Sequence, residues 1–67
     1  MNILLNNRPE HLDAEILSVA ELLLMKNFTF KMLLVKIEGQ LIKKEDYAES
    51  FIKDGNKVDV IHLISGG

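Results

Sequence analysis

The chain has 67 residues, 48% of them hydrophobic, no cysteine, and eight Lys and Arg against ten Asp and Glu for a formal net charge of −2. Such a composition fits one globular domain with a small core, since a chain this short hides only about 60% of the surface its unfolded form exposes. It argues against general nucleic-acid binding, which needs a basic footprint, and excludes a disulfide framework, a thiolate metal site and any apolar run of the roughly 20 residues that span a membrane.

The opening "MNILLNNRPE" has neither the basic start nor the small-residue cleavage site of a secretion signal, so the expected location is the cytoplasm. Met1, Ile3 and Leu5 alternate with Asn2, Leu4 and Asn6, the period of a strand with one face inward. "NNRP" predicts a turn, with Asn7 tolerating left-handed angles and Pro9 presetting its own, and a second short strand returning through Leu12 as a hairpin.

Ser18 followed three residues later by Glu21 is a capping box and predicts a helix start. Leu17 and Leu22 stand at the spacing of a hydrophobic staple, and Val19, Leu22, Leu23 and Lys26 continue one face. A start at Asp13 would lack the reciprocal acid. The helix is expected to end near Asn27.

In "MLLVKIEGQLI", Leu33, Val35 and Ile37 oppose Leu34, Lys36 and Glu38, predicting a largely covered strand, a turn at Glu38 and Gly39, and a short returning strand. "KKEDYAES" reads as a polar connection with a helical turn. In "FIKDGNKVDV", Asp54 and Gly55 give a hairpin signal between apolar Phe51 and Ile52 and a last strand from Lys57 to Ile64. One helix among these strands predicts an α+β fold, a mixed sheet packed on that helix. The expected domain covers 1–64, with a flexible tail at 65–67, and the expected core is Ile3, Leu5, Val19, Leu22, Leu23, Val35, Ile37, Val58 and Val60.

Val58 and Val60 share one face of the last strand, and Asp59, Ile61 and Leu63 the other. Either both faces are covered, or Ile61 and Leu63 form an exposed patch for a partner, because one helix covers only one face of a sheet. Beyond Ile64 come Ser65, Gly66 and Gly67. Glycine lacks a Cβ and passes through slots closed to other residues, which suits a tail entering a partner's active site, although a frayed terminus explains the same residues. The α-carboxylate of Gly67, with an ordinary pKa of about 3.3 to 3.7, is a poor electrophile at neutral pH and needs activation, for example as an acyl-adenylate.

Other chemistry finds little support. His11 and His62 are far apart and lack further ligands at metal spacing, so no metal site is expected. Lys43, Lys44, Glu45 and Asp46 read as a solvated run, Ser50 and Ser65 have no neighbouring base, and "SGG" precedes no helix that would make it a phosphate loop.

The segment "VKIEGQLIKKEDYAESFIKDGNKVDVIHLISGG", with "MNILLNN" and "SVAELL", resembles the sulfur carrier family of thiamin biosynthesis, the ThiS family, over essentially the whole chain. The chain departs from the family's usual pattern at Glu38, Tyr47 and Asn56, in turns and a connection rather than in the tail. The resemblance implies a ubiquitin-like β-grasp fold with the first and last strands as parallel neighbours at the sheet's centre. It also implies a protein that is not itself an enzyme and binds no cofactor. A ubiquitin-activating-type adenylyltransferase would use ATP to adenylate Gly67, a sulfur donor protein would supply the sulfur of a thiocarboxylate, and thiazole synthase would receive it. Two alternatives share the fold: a carrier like the small subunit of molybdopterin synthase, whose members often carry prolines before the glycines, and a β-grasp interaction module or protein modifier.

Overall fold

The alternation at the start of the chain builds β1 (Asn2–Leu5), with Ile3 and Leu5 buried and Leu4 exposed. The computed structural model describes residues 1–28 and 32–63. Asn6 and Asn7 both take left-handed backbone angles, φ 52° and 65°, as a two-residue hairpin turn demands. They return the chain as β2 (Arg8–His11), antiparallel to β1 with Asn2 opposite His11. Pro9 therefore lies in the return strand and not in the turn; β2 is an edge strand, where a missing N–H is tolerated. The strand stops one residue short of the expected Leu12, which is buried in the core.

Helix α1 (Val19–Met25) starts where the capping box predicts. Ser18 Oγ accepts from the Glu21 N–H at 3.1 Å, and the Glu21 carboxylate accepts from the Ser18 N–H at 3.0 Å. Leu17 and Leu22 are both buried, consistent with the staple. At the other end Asn27 turns left-handed, φ 60°, and Lys26 reaches across to pair with Glu10 of β2.

Two strands depart from the sequence expectation. Ile16–Ser18 forms β3, and Phe51–Lys53 forms β6, paired antiparallel as a separate two-stranded sheet that places Leu17 opposite Ile52. The hairpin expected between Phe51 and Ile52 and the last strand is thus absent. The turn at Asp54 and Gly55 (φ 87°) exists, but it carries the chain from one sheet to the other. A turn motif specifies where a chain bends, whereas pairing is decided by where the buried side chains find partners.

The remaining elements are β4 (Leu33–Ile37), β5 (Gln40–Ile42), a short 3-10 helix (Lys44–Asp46) and β7 (Lys57–His62). The main sheet has the order β2-β1-β7-β4-β5, with β1 and β7 parallel and its other pairs antiparallel. This is the α+β arrangement expected, with β7 at the centre.

The core comprises Ile3, Leu5, Leu12, Leu17, Val19, Leu22, Val35, Ile52, Val58 and Val60. Leu23 and Ile37, expected inside, are only partly buried against it, because each stands at the margin of the helix or the sheet contact. Leu12, Leu17 and Ile52 replace them. No helix among the described residues is long and apolar enough to cross a membrane.

Candidate functional site

Strand β7 is held from both sides, and that fixes which of its side chains look outward. On one side β1 runs parallel to it, with Leu4 N–H donating to the Asn56 carbonyl at 3.0 Å and Asn6 N–H to the Val58 carbonyl at 2.9 Å. Where β1 turns away, the left-handed Asn6 places its side-chain oxygen 2.8 Å from the Val60 N–H, so the pairing continues through a side chain. On the other side β4 runs antiparallel from Ile37 opposite Val58 to Leu33 opposite His62. One further bond, Leu63 N–H to the Met32 carbonyl at 2.9 Å, extends that ladder past the strand. At the start of β7 the Glu38 carboxylate accepts from the Lys57 N–H, while Glu38 N–H donates to the Lys57 carbonyl at 2.8 Å.

This frame turns Val58 and Val60 into the core and leaves Lys57, Asp59 and Ile61 on the outer face, with Leu63 following them. Ile61 is 40% exposed and Leu63 37%. Leu34 stands opposite Ile61, and Met32, half exposed, lies beside Leu63. These four make an apolar end to the outer face where the chain passes on to residues 64–67. Leu4 and Leu41 are exposed farther out on the same face, and Lys36 stands opposite Asp59 behind the apolar end. The partner-binding residues predicted from the sequence, Ile61 and Leu63, are therefore both at the surface. Met32 and Leu34 were missed; the alternation that assigns Leu33 inward already assigns both of them outward.

Gly66 and Gly67, and the boundary of the tail at 64 and 65, lie outside the described residues. The two histidines are on different strands: His11 on β2, with Nδ1 2.8 Å from Asn2 Oδ1, and His62 at the end of β7. Among the described residues no three His, Cys, Asp or Glu side chains gather in a way that would hold a metal ion. Lys44, Glu45 and Asp46 form the 3-10 helix and are exposed, as is Lys43 before it. The Ser50 carbonyl accepts from the Val19 N–H at 2.9 Å, so that residue serves the helix start.

Among the described residues two groups have shifted protonation, both away from the apolar end. The bonds from the Ser18 backbone and hydroxyl hold the Glu21 carboxyl below its usual range, and burial raises the Tyr47 phenol. The exposed apolar end of the outer face suits docking to another protein.

No curated protein sequence matches the chain. The crystal structure of the thiamine biosynthesis protein ThiS from Geobacter metallireducens is 32% identical and superposes with a TM-score of 0.87, covering 100% of both chains. The NMR solution structure of a thiamine biosynthesis protein from the same organism is 30% identical, with a TM-score of 0.77, and covers 100% of this chain and 88% of that one. The model of the ThiS family matches residues 3–67. With the sheet order, the capped helix and a family match through Gly67, the chain belongs to the ThiS family of small sulfur carriers in thiamin biosynthesis, with its ubiquitin-like β-grasp fold.

Proposed function

We propose that this protein is a substrate carried between enzymes, with the carboxylate of Gly67 as its reacting group. A ubiquitin-activating-type adenylyltransferase binds it together with ATP. A carboxylate oxygen attacks the α-phosphorus, pyrophosphate leaves, and the resulting acyl-adenylate is open to nucleophiles. Sulfur released by a donor protein at the sulfide level attacks the acyl carbon, the acyl–phosphate bond breaks and AMP leaves, giving a thiocarboxylate that thiazole synthase consumes. The carrier supplies no catalytic side chain and holds no cofactor; the ATP belongs to its partner, and the cytoplasm is where we place the cycle.

The observation that carries this reading is the family match running through Gly66 and Gly67, with exposed apolar residues, Ile61 and Leu63, shortly before them in the sequence. Four residues, 64–67, follow Leu63. Even fully extended they reach no more than about 14 Å, so a protein that encloses the Gly67 carboxylate must also approach Ile61 and Leu63. Glycines at 66 and 67 let the backbone enter a passage too narrow for a side chain.

Pyrophosphate exchange with the cognate adenylyltransferase tests the proposal. Deleting Gly67, or adding a residue after it, should abolish exchange while leaving the fold intact, and Gly66→Val should impair it. Full exchange from a chain lacking Gly67 would refute the mechanism. Intact mass from the native host separates a carrier, which shows one oxygen replaced by sulfur, from a protein modifier, which shows an amide adduct.

A further inference from the structure

We infer that Met32 is an oxidation-sensitive site, at which a hydroperoxide weakens docking of this chain to its adenylyltransferase. The inference rests on the carrier reading above and adds a control point to its docking face. With no cysteine in the chain, methionine sulfur is the side-chain group most open to a two-electron oxidant. Met1 is partly buried against the core, whereas Met25 and Met32 are about half exposed. Their positions differ. Met25 ends α1, on the layer that covers the inner face of the sheet, while Met32 pairs with Leu63 beside Leu34 and Ile61 on the outer face.

In the reaction the Met32 sulfur attacks one oxygen of the peroxide, the O–O bond breaks, and the sulfur keeps that oxygen as a sulfoxide. Sulfur is oxidised by two electrons, the peroxide is reduced, and water leaves when the oxidant is hydrogen peroxide. A flexible apolar side chain thereby acquires a polar, hydrogen-bond-accepting oxygen. A partner that covers Leu34, Ile61 and Leu63 must then desolvate that oxygen without a donor to satisfy it. The backbone bond between Leu63 and Met32 does not involve the sulfur, so the ladder between them survives oxidation and the loss is confined to docking. Thiol-dependent reduction of the sulfoxide reverses it.

The test compares each protein with itself before and after hydrogen peroxide, with the peroxide removed by catalase before the enzyme is added. Met25→Leu retains Met32 as its only half-exposed methionine, and Met32→Leu retains Met25. Peptide masses verify the site of the added oxygen, and pyrophosphate exchange gives KM and kcat. Oxidised Met25→Leu should show KM raised about tenfold or more with kcat unchanged. Oxidised Met32→Leu should match its untreated form, and methionine sulfoxide reductase should restore the first protein. A KM within about twofold of the untreated value in oxidised Met25→Leu, an equal loss in oxidised Met32→Leu, or unfolding on treatment would overturn the switch alone. No exchange from the untreated wild type would overturn the carrier reading and the switch with it.

Discussion

Val35, Val58 and Val60 come from the same two strands as Leu34 and Ile61, one residue out of phase with them, yet the valines are buried while the others remain partly open. The difference lies in what each face meets. On the inner face Val19 and Leu22 of α1 complete the packing, and β3 and β6 close it with Leu17 and Ile52. The outer face has no covering layer among the described residues, although Met32, Leu34, Ile61 and Leu63 give it as apolar a surface at one end. A stable single domain normally buries such side chains; leaving them a few residues before the glycine to which we assign the reacting group fits an interface completed only by a partner.

The largest effect that would sharpen this contrast is loss of an inner side chain. Leu22 and Ile52 are fully buried. Leu22→Ala or Ile52→Ala should therefore lower unfolding free energy by about 2 to 5 kcal/mol, read from the denaturant midpoint at constant m-value. An unchanged midpoint for Ile52→Ala would mean that the two-stranded sheet contributes nothing to the core. Ser18→Ala removes the cap beneath that core and should cost about 1 kcal/mol by the same measurement.

Ile61→Thr probes the other face while keeping a β-branched residue in the strand. Its expected cost in stability is less than about 1 kcal/mol, but KM for adenylation should rise. A large fall in stability with no change in KM would assign Ile61 to the core instead.

The smallest effect is an acid one at the capping box. Glu21 titrates below its ordinary value of 4.5 in the folded protein, chiefly through the Ser18 backbone N–H and then its hydroxyl. As pH falls, the unfolded chain therefore takes up this proton first. The stabilisation is present above about 4.5 and is lost as pH drops through the lower folded value. Glu21→Gln should flatten stability against pH in that window, and a slope identical to wild type would show that the carboxylate is not what the cap loses in acid.

The features legible in the sequence were those whose partners lie within a few residues. Ser18 and Glu21 are three apart, Ile3 and Leu5 two apart, and the helix start and the inward faces of β1, β4 and β7 followed from such spacings. Ile61 and Leu63 were readable as facing opposite Val58 and Val60 because alternation needs no knowledge of the neighbouring strand, while their exposure was one of two readings. The placement of β1 beside β7, and the reacting role given to Gly67, came from resemblance to a family rather than from any pattern of spacing. Tertiary structure alone decided the rest. Leu17 meets Ile52 across 35 positions of sequence, and no local signal distinguishes that pairing from a hairpin at Asp54 and Gly55. Met32 joins Leu63, and Leu34 joins Ile61, only because β4 packs against β7 in one register, chosen by the burial of Val35 with Val60 and by the bonds of Glu38, after β4, to Lys57 of the central strand. A one-residue slip would exchange the two faces, so the register that fills the core is also what brings the outer apolar end together.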